Sequence, residues 1–306
     1  MAPALRTARR LAAYAAGFVI CRIPLFRGYR KALLASWSVR GAERRDGLLL
    51  RAALTYWFRF VYLAERDPNK REVLKAGLMG GAAGVKWAEA YARMPIDFST
   101  KVGTLTFPEA CPLLPALDEL LASVDGRRLV VQIGASSGRE VAWLARRRPH
   151  HVYIGTDVYD EVVAFAAATQ RLPNVSFEVC GATEIRRILD RHPAMDAIVC
   201  SSGSLQFVQP EHVAAMFRNL GDGARAVDVI CMEPGVETDG DPLHLDGSAW
   251  AGNLGYTHNY RRYGEQAGFV TRRSEIIRPF LPYERFESHR CVVQLFWWGQ
   301  RRNASA

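Results

Sequence analysis

The sequence has no Cys-x-x-Cys pair: its six cysteines stand apart at positions 21, 111, 180, 200, 231 and 291. That spacing provides neither a zinc site nor a disulfide framework, so a reducing cytoplasm is expected. Four of the six fall in or at the end of expected strands, the usual setting of buried free thiols. The apolar run Leu11–Cys21 is too short to span a bilayer, which needs ~20 residues. No small-x-small cleavage site follows it, and Ile20 before Cys21 does not suit a lipoprotein site. Internal repeats are missing, as is any low-complexity tract beyond an alanine bias.

Acids are almost missing from the first 60 residues. Twelve Arg or Lys stand there against Glu43 and Asp46, a net +10, while the rest of the chain balances to −1. A basic catalytic domain would suggest a polyanionic substrate; a basic arm suggests attachment. Met1–Cys21 reads as a helix that Pro24 ends, with Arg6, Arg9 and Arg10 on one side and Leu11, Tyr14 and Phe18 on another. Arg51–Glu65 reads as a second helix, apolar nearly all round and rich in aromatics. Residues 1–100 are therefore expected to form a helical region that caps the rest. Within it, residues 1–60 suit an anionic membrane surface, at the inner face of the membrane. Nucleic acid ranks behind that surface as a partner, because no RNA-binding module accompanies the arginines. Gly77–Gly84 reads as a break between helices, and residues 101–126 as a connector ending in the helix Pro112–Val124.

At 49% hydrophobic content, 306 residues are ample for a buried core. The most informative stretch is LVVQIGASSGREVAWLARRRPHHVYIGTDV, residues 129–158. Leu129–Ile133 is a strand, Gly134–Gly138 a turn of small residues, Glu140–Arg147 a helix, and Val152–Gly155 a strand ending at Asp157. Such a turn lets backbone approach a ligand, the helix start offers free N–H groups, and an acid after the second strand can hold a ribose. A dinucleotide turn would need glycine where Ser136 and Arg139 stand. A phosphate-cradling turn would need Gly-Lys-Ser/Thr. A nucleoside without phosphates remains.

Further strands are expected at Val175–Cys180, Met195–Cys200, Ala224–Met232, Gly268–Ile277 and Cys291–Trp298, with helices at Pro210–Leu220 and Tyr260–Ala267. Strands alternating with helices imply an α/β domain with a mainly parallel sheet. Over residues 127–299 this order, with several motifs, resembles the class I S-adenosylmethionine (SAM)-dependent methyltransferases. QIGASSG is similar to the family's glycine-rich turn, TDV to its ribose acid, CGAT to its adenine-side turn, and CSSGSLQFVQPEH to the segment near methionine and acceptor. NYRRYGEQAGF resembles the late helix that runs into the sixth strand.

The resemblance implies a Rossmann-like seven-stranded sheet with an antiparallel C-terminal strand over residues 127–306, and SAM as cofactor. The implied cofactor-binding residues are Gln132, Gly134, Ala135, Ser136, Gly138, Asp157, Val158, Gly181, Ala182, Thr183, Ser201 and Ser202. Gln132 stands where the family has an acid, Ser136 where it has its middle glycine, and Gly181 where an acid often sits near the adenine amino group. Gln132 thus gives up charge attraction to the methionyl ammonium. Thr183 or Glu184 could serve the adenine edge instead.

The acceptor is expected over the ends of the fourth and fifth strands. His244, Tyr256, His258 and Tyr260 lie in the long stretch after Glu233 and are the candidate bases or acceptor contacts. Asp239, Asp241, His244 and Asp246 match no metal-binding pattern, so no metal is expected. The missing Asn/Asp-Pro-Pro-Tyr/Phe pattern weighs against nucleobase or glutamine nitrogens. A small-molecule, sugar or lipid-linked acceptor is therefore expected, with oxygen preferred. The alternatives are an RNA methyltransferase that uses the basic arm, and a non-catalytic Rossmann-like interaction protein.

Overall fold

The computed structural model describes Ala15 and residues 68–99, 101–102, 105–223, 225–236, 245–252, 255–277 and 292–302. The chain divides into two compact units, Met1–Arg93 and Met94–Ala306. In the first, α1 (Pro68–Met79) and α2 (Gly81–Ala92) are separated at Gly80 alone, so Gly77 and Gly84 lie inside helices. Gly81, at φ 55°, takes the left-handed conformation that a side chain resists. Most of the basic arm and the helix expected at Arg51–Glu65 lie outside the described residues. Among the described residues, no helix is long and apolar enough to cross a membrane.

The second unit opens with a short hairpin, β1 (Lys101–Val102) and β2 (Leu105–Thr106), then α3 (Phe107–Ala110) and α4 (Leu113–Ser123). Thr106 and Glu109 start α3 with a capping box, Thr106 N–H donating to Glu109 at 2.7 Å. The main sheet then alternates with helices: β3 (Leu129–Ile133), α5 (Arg139–Arg147), β4 (Val152–Asp157), α6 (Asp160–Thr169), β5 (Val175–Val179), α7 (Ile185–Asp190), β6 (Ala197–Ser202), α8 (Pro210–Gly221) and β7 (Val227–Val236). A small hairpin follows, β8 (Ser248–Gly252) with β9 (Gly255–His258), then α9 (Tyr260–Gln266), β10 (Val270–Ile277) and β11 (Val292–Arg301).

The seven sheet strands run in the order β10-β11-β7-β6-β3-β4-β5. The five from β7 to β5 are parallel, and β11 is antiparallel to both β7 and β10. This is a Rossmann-like, mixed α/β sheet. The order reverses between β3 and β6, the place where open α/β sheets bind ligands at the C-terminal strand ends.

Side chains of β3 alternate between two buried clusters, Leu129, Val131 and Ile133 on one face and Val130 on the other. α7, α8 and α9 cover the first face; α4 and α5 cover the second. Trp297 of β11, 1% exposed, packs edge-on to Phe217 of α8 and to Phe269, which follows α9. A Cβ on Gly264 would meet its ring at 2.3 Å, so only glycine fits that helix position.

The sequence reading placed the fifth parallel strand at Ala224–Met232; the strand runs instead from Val227 to Val236. Its extra residues pair with β11, from Glu233↔Leu295 to Val236↔Val292. The stretch read as one long loop contains the β8–β9 hairpin, in which Gly252 pairs with Gly255.

Candidate functional site

The small-residue turn leaves β3 with three left-handed residues: Gly134 (φ 66°), Ser136 (φ 50°) and Gly138 (φ 69°). Each glycine has a neighbour pressed against it. A Cβ on Gly134 would lie 2.0 Å from Ser204 Oγ, and one on Gly138 2.3 Å from the Phe177 ring. Serine at 136 accepts a conformation that few non-glycine residues adopt. Two bonds hold the turn's shape, from Ala135 N–H to Thr156 O at 2.7 Å and from Gly138 N–H to Ala135 O at 2.8 Å.

Asp157 ends β4 beside this turn. Its carboxylate accepts from the N–H of Ser136 (3.3 Å), Val158 (2.9 Å) and Tyr159 (3.4 Å). Burial pushes its pKa up, and these three amides pull it back part of the way. The hydroxyls of Ser136 and Ser137 are buried with no hydrogen-bond partner among the described residues. Buried hydroxyls ordinarily find one, so two orphans in one turn suit a polar ligand. On the far side, Cys180 N–H donates to Asp157 O at 2.9 Å, which sets Gly181, Ala182 and Thr183 next to that strand end. Glu184 caps the short turn there by accepting from Gly181 N–H at 3.1 Å. Val158, 57% exposed, presents an apolar side chain next to Asp157.

Gln132 has its own carboxylate partner. Its Nε2 donates to Glu140 Oε2 at 2.6 Å, with both residues buried. Negative charge missing from position 132 therefore stands one side chain away, in the first turn of α5 where the helix dipole favours an anion.

Over the ends of β6 and β7, Ser201 donates to Glu233 at 2.5 Å. Burial pushes the Glu233 pKa up to about 7, against the lowering effect of its hydrogen bonds. Ser202 is half-buried next to it. His258 is buried on β9, its Nδ1 2.5 Å from Ser248 Oγ and its Nε2 3.1 Å from Leu205 O. With Nε2–H donating to that carbonyl, Nδ1 accepts from the serine; burial holds the imidazole neutral, its pKa lowered to about 4. Tyr256 OH donates to Gln209 at 2.7 Å. Tyr260 is 2% exposed, and its hydroxyl has no partner among the described residues. His244, Asp239 and Asp241 lie outside the described residues; Asp246 is exposed and pairs with Arg262 at 3.0 Å. No group of three metal-ligating side chains occurs among the described residues.

The structure thus joins Ser136 of the turn to Asp157, and Ser201 to Glu233. Sequence reasoning missed Glu140 and the role of Glu233. Their partners lie 8 and 32 residues away. The one sequence signal was the loss of an acid at 132, which prompts a search for another nearby.

With this geometry in place, the family profile described as a methyltransferase domain matches residues 130–225, the turn, Asp157 and the strands through β6. The match makes residues 130–225 a methyltransferase domain, and the Rossmann-like sheet that holds them supports an enzyme of the class I SAM-dependent type. No curated protein matches the chain. Among solved structures, the chain is similar to geranyl diphosphate C-methyltransferase from Streptomyces coelicolor A3(2), at 13% identity over 70% of this chain and 96% of that one (TM-score 0.46). It is also similar to phosphoethanolamine N-methyltransferase 2 from Haemonchus contortus, at 12% identity over 63% and 53% (TM-score 0.46). A SAM-dependent methyltransferase from Aquifex aeolicus is 12% identical over 63% and 92% (TM-score 0.42).

Proposed function

We propose that the chain binds SAM in the cradle formed by Gln132–Gly138, Asp157–Val158 and Gly181–Thr183. Its methyl group would pass to a small-molecule, sugar or lipid-linked acceptor, with oxygen the favoured atom. The observation that carries this reading is the joined turn and acid. A left-handed Ser136 donates its amide to Asp157, while two serine hydroxyls in the turn keep bonding capacity for a polar ligand. The donor set suits a nucleoside with an amino-acid tail. Asp157 would hold the ribose hydroxyls, Val158 would offer an apolar contact to the adenine, and the Gln132–Glu140 pair would supply negative charge toward the ammonium end.

Bound SAM supplies an electrophilic methyl on a sulfonium. The protein's part is to align an acceptor over β6 and β7, exclude water and remove a proton where the acceptor carries one. Tyr260 fits the role of acceptor-side donor, because its buried hydroxyl has no partner among the described residues and its pKa is pushed well up by burial. His258, with both nitrogens engaged and a lowered pKa, fits positioning better than proton uptake. His244 and Tyr256 remain the other acceptor-side candidates.

Calorimetric titration with SAM and S-adenosylhomocysteine tests the cofactor reading. Micromolar binding is expected; a folded protein that binds neither at millimolar concentration rejects it. For the basic residues 1–60 we favour an anionic membrane surface. Sedimentation with phosphatidylglycerol vesicles but not with RNA, at matched salt, is the expected result. Preference for RNA would favour the alternative of an RNA methyltransferase.

A further inference from the structure

Glu233 is fully buried near the end of β7, yet its carboxylate is held by neutral donors that all come from one segment. Oε1 accepts from Ser201 Oγ at 2.5 Å and from Ser204 N–H at 3.2 Å, and Oε2 accepts from Gln206 N–H at 3.2 Å. The neighbouring Gly203 N–H donates to Met232 O at 3.0 Å. Folded down in this way, the segment places the Ser204 hydroxyl on the cofactor turn, donating to Gly134 O at 3.2 Å. The fit is tight enough that no Cβ could stand at Gly134. A continuous chain of bonds therefore runs from β7 through Ser204 to the first residue of the turn.

A buried carboxylate is costly to keep, and an apolar residue would fill this strand position at lower cost. Its retention calls for something the charge does. We propose that Glu233 is a positioning residue: by folding Ser201–Gln206 over the strand ends it seats Ser204 on Gly134 and so sets the shape of the cofactor turn. This rests on the reading of that turn as a SAM cradle. The ionised carboxylate is the stronger acceptor, and with its pKa near neutrality both forms are populated there. The titratable groups facing it are Cys231 on its own strand, Tyr260 on α9, and His258 on β9 through the shared Leu205. The thiol and phenol are pushed well up and the imidazole down to about 4, so none of the three changes charge between pH 6 and 8.

The test uses the full chain, with Glu233→Gln and Ser204→Ala. S-adenosylhomocysteine affinity is measured from pH 6 to 8, and amide hydrogen exchange is followed without ligand. At pH 8 Glu233→Gln should bind about tenfold more weakly, the scale of one charge-assisted hydrogen bond, and Ser204→Ala about three- to tenfold more weakly, the scale of a neutral one. Wild-type affinity should fall by a similar factor toward pH 6, beyond any change that Glu233→Gln shares through Asp157. Without ligand, amides of Ser204 and Gln206 should exchange faster in Glu233→Gln, and amides of the 135–138 turn faster in both variants. A purely structural role would lower the melting temperature of Glu233→Gln but leave affinity, its pH profile and turn exchange as in wild type; that result overturns the proposal. If Glu233→Gln does not fold, Ser204→Ala decides, and wild-type affinity and turn exchange in that variant also overturn it. Exchange coupling in a protein that binds no S-adenosylhomocysteine would keep the positioning role and remove the SAM reading.

Discussion

Glu233 and His258 titrate in opposite senses over almost the same pH range, and the stability of the domain should carry the signature of both. Burial raises the Glu233 pKa from 4.5 to about 7. Between those values the folded state holds a proton that the unfolded chain has lost. Stability from this group is therefore fully present below pH 4.5 and is lost as pH rises through 7. At ~1.4 kcal/mol for each unit, the loss is about 3 kcal/mol. His258 goes the other way, its pKa lowered from 6.5 to about 4. Its contribution is present above pH 6.5 and is lost, by a similar ~3 kcal/mol, as pH falls toward 4. From pH 4.5 to 6.5 the two slopes oppose each other, and the wild type should show little net dependence from this pair. Glu233→Gln removes one limb: relative to wild type, the variant should lose about 3 kcal/mol as pH falls from 7 to 4.5. For a domain of this size that is a shift of roughly 6–12 °C in melting temperature. His258→Gln should show the mirror image, losing stability relative to wild type as pH rises. Thermal melts in matched buffers from pH 4.5 to 8 measure both. Asp157 and Asp228, also raised by burial, contribute equally to wild type and variants and drop out of the difference. Melting curves for Glu233→Gln and wild type that stay parallel across the range would refute the reasoning.

Other perturbations test other parts of the site. Gly138→Ala combines a left-handed φ with a 2.3 Å approach to Phe177, and should cost about 2–4 kcal/mol in urea unfolding; a loss under 0.5 kcal/mol would mean that the ring moves freely. Asp157→Ala removes the carboxylate that accepts from Ser136 and should weaken S-adenosylhomocysteine binding at least about tenfold by calorimetry. Unchanged affinity would move the ribose elsewhere. Cys200 and Cys231 are buried with thiol pKa values pushed up, and should stay unlabelled by a thiol reagent until the domain unfolds. Mass mapping of modified peptides reads this directly, and labelling of either in native protein would contradict the core assignment.

The sheet was legible because its evidence is local. Leu129–Ile133, Val175–Val179 and Ala197–Ser202 are short apolar or alternating runs, and helices separate most of them, which limits the arrangement to a parallel sheet. The turn was legible for the same reason: glycines at 134 and 138 and an acid at 157 lie within one strand–helix–strand unit. The β8–β9 hairpin was not. Its strands carry mixed glycine, serine, alanine and aromatic residues with no clean alternation, and their pairing includes a register shift between Trp250 and Gly252.

The polar core was the least legible part, for a physical reason. A buried carboxylate leaves no periodic trace, since its meaning lies in partners set by the fold. Glu233 reads in sequence as the acid that ends an apolar strand. Only the parallel pairing of β6 with β7, Ser202 opposite Met232, brings Ser201 and Ser204 within reach of it. The same holds for Gln132, which reads as a lost charge until the first turn of α5 places Glu140 against it. In both places the chain departs from what local pattern would choose: a charge where an apolar residue would pack, and an amide where an acid is usual. Both lie at the C-terminal half of the sheet, next to the turn proposed to hold the cofactor. Charges kept there at a cost in stability mark the region where shape and potential are set for a ligand rather than for packing.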